Sequence, residues 1–300
     1  MSRFLWTQRQ DIGPADRYGC AMAFDSMRAK TVLFGGVNGT TYADTWEWDG
    51  QYWTQVSDIG PPARHHHQMA WDSVSNGVIL FGGAAGTIQK PTAFGDTWLW
   101  DGESWTQLDD TGPSARSSFA MASDTTRKRI VLFGGEQPNI QGLGDTWEWD
   151  GTAWSQQAET GPSPRIAPAM TFDGVRGRTV LFGGVGAEAD LADSWEWDGA
   201  TWVGVSEFGP RQRGYATLGF DGAESVLFGG LNELPSASVS LGDTWSWDGQ
   251  FWTQRQDFGP QPRAGHGMAF DSSRKKTVLF GGSGAGNQDF GDTWELTISA

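Results

Sequence analysis

The chain predicts an all-β fold, a six-bladed β-propeller with four antiparallel strands per blade, closed by its own amino-terminal strand. Three observations predict it. A glycine pair recurs at Gly35-Gly36, Gly82-Gly83, Gly134-Gly135, Gly183-Gly184, Gly229-Gly230 and Gly281-Gly282, at intervals of 47, 52, 49, 46 and 52 residues. That period marks a stacked repeat running from end to end, hence one domain rather than the two that length alone suggests. Each copy also keeps one order of residues: Arg, an apolar run, Leu-Phe-Gly-Gly, Asp-Thr-Trp or Asp-Ser-Trp, and then, in the first five, Asp-Gly and a further Trp. Finally, the sixth copy reaches Ala300 without an Asp-Gly turn or a fourth strand, and Leu5-Trp6-Thr7-Gln8 supplies the missing pattern.

The first copy justifies each strand in order. Residues 17–24 open with Arg17 and continue small and apolar to Phe24, which reads as a buried first strand. Asp25-Ser26-Met27-Arg28 is a polar turn, and Thr31-Val32-Leu33-Phe34 is a β-branched and aromatic second strand ending at the glycine pair. After a variable loop, Thr45-Trp46-Glu47-Trp48 alternates with period two, placing both Trp on one face of a third strand. Asp49-Gly50 is a hairpin signal, and Tyr52-Trp53-Thr54-Gln55 is the fourth strand. Applied throughout, the pattern gives blades at about 17–56, 64–108, 116–157, 165–205, 213–255 and 263–298, with residues 3–8 completing the sixth. Such closure removes the exposed strand edge that an open repeat array would have to cap.

Composition narrows the function classes. Net charge is −15 with a pI near 4.5, which argues against nucleic acid, whose phosphates need a basic surface, and weakly favours cationic partners. The single cysteine, Cys20, excludes an intrachain disulfide, and no apolar run is long enough for a membrane span. Met1-Ser2-Arg3-Phe4 leads almost directly into repeat sequence, so no signal peptide is expected: the chain reads as cytoplasmic, or as secreted if cut from a longer precursor.

The double glycine after an apolar strand, the aromatic third strand ending in Asp and the single Trp of the fourth resemble the kelch-repeat family over essentially all 300 residues. Trp in the third strand, where Tyr or Val is more usual, resembles bacterial kelch-like proteins. The resemblance implies a top face built from the strand two–three loops and the blade-joining loops. It also implies that the residue after the repeat Arg lines the mouth of a central channel. It leaves function open between interaction modules and a few enzymes.

Seventeen of the 18 Trp fall at repeat positions, Trp71 excepted. Sugar platforms are one reading of them, but sixfold recurrence favours inter-blade packing. At roughly 200 Å² buried per Trp, Trp147→Ala is expected to cost about 3–5 kcal/mol. The strand two–three loops at 37–43, 84–95, 136–144, 185–192, 231–242 and 283–291 vary from 7 to 12 residues, and variable loops on a rigid scaffold carry recognition. The blade-joining loops carry an acid before Gly-Pro or its equivalent (Asp11, Asp58, Asp110, Glu159, Glu207, Asp257), six residues ahead of Arg17, Arg64, Arg116, Arg165, Arg213 and Arg263. This reads as an intramolecular network pinning loop to strand, with Asp44 and its equivalents as further partners, rather than as a charged double ring for a ligand.

Symmetry breaks after the Arg, where Tyr18, His65, Ser117, Ile166, Gly214 and Ala264 succeed one another and His66, His67, Tyr215 and His266 follow nearby. The expected ligand-binding set at the channel mouth is Tyr18, Arg64, His65, His67, Ser117, Tyr215 and His266. A metal on His65, His67 and His266 is the alternative to polar channel lining, but no acid or cysteine at matching spacing completes a site, so no metal or cofactor is expected. On the opposite face the turns hold Arg28, Lys30, Arg127, Lys128, Arg129, Arg176, Arg178, Arg274, Lys275 and Lys276, which read as solvated charge.

The resulting expectation is a monomeric, non-catalytic propeller that recognises a protein or a glycan through its top face. The enzyme alternatives are weaker. A galactose-oxidase-like copper centre needs a cross-linked Tyr–Cys pair, and Cys20 with Tyr18, Tyr42, Tyr52 and Tyr215 is a poor match. A sialic-acid-mutarotase-like site has only His65, Arg64 and Glu233 to offer, and no phosphate loop, nucleophile elbow or zinc spacing is present. A designed or trimmed scaffold without a ligand is the third reading, against which the unequal loops speak.

Overall fold

The structure, a computed structural model, describes residues 3–9, 12–87, 90–109, 111–138, 142–234, 237–256 and 258–299. Six four-stranded antiparallel sheets are arranged as the repeats predict. In blade 1 the strands are Ala21–Asp25, Lys30–Phe34, Thr45–Trp48 and Trp53–Ser57, paired in that order. The innermost strands of neighbouring blades touch all the way round, blade 6 against blade 1 included. No helix of the described residues is long and apolar enough to cross a membrane.

Closure follows the expected register. Arg3–Gln8 pairs antiparallel with Thr293–Ser299, from Arg3 opposite Ser299 to Gln8 opposite Trp294. Phe4 and Trp6 are buried in the core shared by blades 5 and 6, beside Phe228 and Leu279.

The tryptophans other than Trp71 divide into three classes. The second Trp of the third strand (Trp48, Trp100, Trp149, Trp197, Trp247) is at most 1% exposed. The fourth-strand Trp bolts each blade to the one before it: Trp53 donates to Thr293 Oγ1, Trp105 to Thr45, Trp154 to Thr97, Trp202 to Thr146, Trp252 to Ser194 and Trp6 to Thr244, at 2.8–3.0 Å. Trp147 belongs to the remaining, half-buried class, whose indole N–H donates to an aspartate, here Asp145 at 2.7 Å. Trp147 packs half-buried against the core that blades 2 and 3 share, as expected, while the fully buried place in that core belongs to Trp149.

The basic turns of the lower face also differ from their reading as free charge. Arg28, Arg127, Arg176 and Arg274 each pair with a buried Asp on their own turn and a Glu on the third strand, such as Asp25 and Glu47 for Arg28. The Glu then accepts the indole N–H of the next blade: Trp100 donates to Glu47 at 3.2 Å and Trp197 to Glu148 at 2.9 Å. Blade 2 departs from this scheme, with Ser75 and Leu99 in place of Arg and Glu, and the buried Nε1 of Trp149 has no partner. At the blade 5–6 boundary the two changes occur together, Ser246 for Glu and Leu296 for Trp, and no indole is orphaned there.

Candidate functional site

The first strand starts four residues later than predicted, at Ala21 rather than Arg17, and its equivalents do likewise. The second residue after each repeat Arg is left-handed: Gly19, His66, Ser118, Ala167, Tyr215 and Gly265 have φ between 49° and 63°. Each donates its backbone N–H to the carbonyl of the corresponding residue in the preceding blade, and Gly19 donates to Gly265, all at 2.6–3.0 Å. Six such bonds form a closed hexagon around the axis. Four of the six members are not glycine, and each left-handed non-glycine residue costs roughly 1–2 kcal/mol. The unbroken cycle of buried amide bonds offsets that strain.

The hexagon decides which expected site residues meet. Above it, the His66 ring contacts Tyr215 at 5.7 Å, Tyr18 at 5.9 Å and His65 at 4.9 Å between centroids, and His65 Nδ1 lies 2.8 Å from His66 Nδ1. Burial, with the neighbouring His65, pushes His66 down to about 3. Below it, His67 and His266 are buried against Phe34 and Phe228, in the place that Phe119 fills in blade 3. Neither ring nitrogen of either has a hydrogen-bond partner. Burial lowers His67 well below its ordinary value and His266 to about 3. These two are therefore core side chains, not part of a mouth. Two axial spaces at the hexagon and along the inner strands beneath it measure about 60 Å³ each, too small for a sugar.

Arg64 is also withdrawn from any ligand. It is fully buried, forked onto Asp96 at 2.7 and 2.9 Å, and donates to the carbonyls of Gly82 and Pro62. All six repeat Arg make the same pin with Asp44, Asp96, Asp145, Asp193, Asp243 and Asp292. Burial alone would raise these carboxyls, but the Arg hydrogen bonds and charge, helped by an indole N–H, hold all six below the usual range. The acids of the blade-joining loops are not in this network: Asp58, Glu159 and Glu207 are exposed and unpaired with the Arg, and Asp11, Asp110 and Asp257 lie outside the described residues.

The concave feature of the top face lies off the axis, between blades 3, 4 and 5. It is a cavity of about 550 Å³ lined by Glu136, Glu188, Asp190, Gln212, Tyr215 and Glu233, with the small and apolar residues of the 185–189 turn. Blade 4 builds its wall by continuing the second and third strands past the glycine pair, as Arg178–Val185 and Asp190–Trp197, with Val185 opposite Asp190. Asp190 is 5% exposed; its Oδ2 accepts from the Glu233 backbone N–H at 2.6 Å and Asn232 Nδ2 at 3.3 Å, while Oδ1 has no partner. Ser118 Oγ donates to Glu136 Oε1 at 3.0 Å, with Ser117 Oγ at 3.4 Å. Burial, then the Glu136 carboxylate, with smaller contributions from Glu233 and Asp190, push Tyr215 up to about 12 against an opposing hydrogen bond with Ser118.

Of the residues expected at the site, Tyr215 and Ser117 meet this cavity or its wall. Glu136, Glu188, Asp190 and Glu233 lie in the variable loops 136–144, 185–192 and 231–242 expected to carry recognition, but the sequence singles out none of the first three, and Glu233 only as an acid–base candidate. Glu136 had a signal: the residue after the glycine pair is Val37, Ala84, Glu136, Val185, Leu231 or Ser283, and only one of these is charged. A second concavity, about 720 Å³, runs along the outer edge between blades 4 and 5 beside Trp195, Phe208 and Phe251. It opens where Gly204 stands opposite Trp195, the place of a Gln in the other blades.

No protein-family profile matches the chain, and no curated protein does. Among solved structures, the structure of YjhT is similar, with 15% identity and a TM-score of 0.79 over 96% of this chain and 98% of that one. At that identity the likeness shows the fold alone, a six-bladed propeller.

Proposed function

We propose that this propeller is a non-catalytic, kelch-type binding module that takes its ligand, a glycan or a group presented by a protein, in the top-face cavity between blades 3, 4 and 5. The observation that carries the reading is the contrast between the axis and this cavity. The axis is sealed by a hexagon common to all blades, whereas the cavity is walled by residues that each blade contributes differently. Concave volume with a few converging polar groups is what small-ligand sites share. The outer-edge cleft has apolar walls and few converging polar groups, so it ranks behind.

An acid–base enzyme fits less well. Burial lowers all four histidines, carrying His66 and His266 to about 3 and His67 well down, and raises Tyr215 to about 12, away from the range where general catalysts operate near neutral pH.

The test is thermal stabilisation by saccharide and peptide panels, repeated with Tyr215→Ala and Glu136→Ala. Alanine is compatible with the left-handed backbone at position 215, since Ala167 holds that place in blade 4. A ligand at 100 times its Kd stabilises the wild type by about 2.7 kcal/mol, and that gain should vanish in both variants. Binding that survives both substitutions contradicts the reading.

A further inference from the structure

We propose that the cavity between blades 3, 4 and 5 binds an organic cation through ammonium N–H groups, with Asp190 as the principal acceptor and Glu136 and Glu233 as flanking charges. The inference rests on the binding reading above and names the chemistry of its ligand.

Four carboxylates line one cavity, and no Lys or Arg is among its lining residues. In a structural network each acid would be paired, as Asp44 and its equivalents are. Asp190 is different. It is nineteen-twentieths buried, is held in place through one oxygen by Asn232 and the Glu233 amide, and its other oxygen is buried without a partner, in a residue that lines the cavity. A buried acceptor without a donor is costly, and a ligand N–H removes that cost. Tyr215 is set among the same carboxylates, and its neutral hydroxyl offers a further acceptor.

The arrangement selects against a bare metal ion, since among the described residues no three His, Cys, Asp or Glu come together to hold one. Acceptors spread around a cavity of about 550 Å³ suit N–H donors spread along a carbon chain. Free polyamines and the lysine side chains of a basic polypeptide share that chemistry.

The experiment is calorimetric titration of the full chain with spermidine and, separately, with a lysine-rich peptide, at 150 mM salt. The variants are Asp190→Asn, Glu136→Gln and, as a control on an exposed distant loop, Asp58→Asn. Each removes a single charge from a net of −15, so a general attraction to the acidic surface would respond equally to all three. The expected result is an affinity loss of about 10- to 100-fold in Asp190→Asn, a smaller loss in Glu136→Gln, and none in Asp58→Asn. The tighter of the two probes identifies the source. Equal responses in all three variants, or no amine binding by the wild type, overturn the proposal. If Asp190→Asn does not fold, Glu136→Gln against Asp58→Asn makes the same comparison. A neutral saccharide bound in a Tyr215-dependent way without amine binding overturns the cation chemistry and leaves the binding reading standing. Loss of both kinds of ligand overturns the two together.

Discussion

Trp149→Phe and Trp197→Phe should differ sharply although the two residues are repeats of one another. Both side chains are 1% exposed, and both substitutions remove the same pyrrole ring from similar packing. The Trp197 indole donates to Glu148 at 2.9 Å, a bond to a carboxylate worth about 1.5–3 kcal/mol. Glu148 would still be held by Arg127, so no further penalty follows. Trp149 has no such bond, because Leu99 occupies the acceptor's place, and its buried N–H carries an unsatisfied cost of about 1–3 kcal/mol that phenylalanine abolishes. The shared cavity cost cancels, leaving Trp197→Phe less stable by roughly 3 kcal/mol or more. In a chain of this size that corresponds to a Tm difference of about 6 °C in scanning calorimetry. Variants melting together, or Trp149→Phe melting lower, would refute the reasoning that the glutamate–indole relay couples neighbouring blades.

Three other outcomes follow from the same interactions. Asp145→Ala strands the buried Arg116 and should cost about 3–5 kcal/mol in urea unfolding, whereas Glu207→Ala, on an exposed loop, should fall within about 0.5 kcal/mol of wild type. The histidines titrate near 6.5 when unfolded but have lowered values when folded, so they should leave stability flat with pH above about 6.5 and erode it as pH falls below that, in the case of His66 and His266 down to about 3. Each contributes a slope of up to about 1.4 kcal/mol per pH unit, and His266→Phe should flatten the curve by one histidine's share; an unchanged slope would contradict a buried neutral His266. Below pH 4 the six lowered aspartates add a second loss, which Asp145→Ala should diminish in a stability-against-pH series.

The blade plan was legible because its causes are local. Asp-Gly turns, the glycine pair and period-two Trp alternation each act within a few residues, and the match of Leu5-Trp6-Thr7-Gln8 to Tyr52-Trp53-Thr54-Gln55 and Phe251-Trp252-Thr253-Gln254 exposed the closure. The hexagon was not legible. Left-handed backbone is usually announced by glycine, yet His66, Ser118, Ala167 and Tyr215 adopt it here under the demand of bonds made only when six blades meet. The histidine run misled for the same reason. Adjacent in sequence, His65 and His66 rise above the hexagon while His67 drops beneath it, so one apparent cluster is divided between surface and core. Asp190 and Glu233 meet across 43 residues and two blades, and no spacing within one repeat could reveal that.

Circular closure is tested most directly by cross-linking across the seam. Leu5 lies opposite Thr297 in the register that joins the two chain ends, and the native Cys20 is buried, its thiol pushed up to about 11 by burial, which keeps it out of disulfide exchange. Leu5→Cys with Thr297→Cys should form an intramolecular disulfide under mild oxidation, seen as faster migration in a non-reducing gel, and should raise Tm. Pairing Leu5→Cys with Leu296→Cys, one residue out of register and on the opposite face of the sheet, should not. Failure of the first pair, or equal cross-linking by both, would contradict a wheel closed by its own amino-terminal strand.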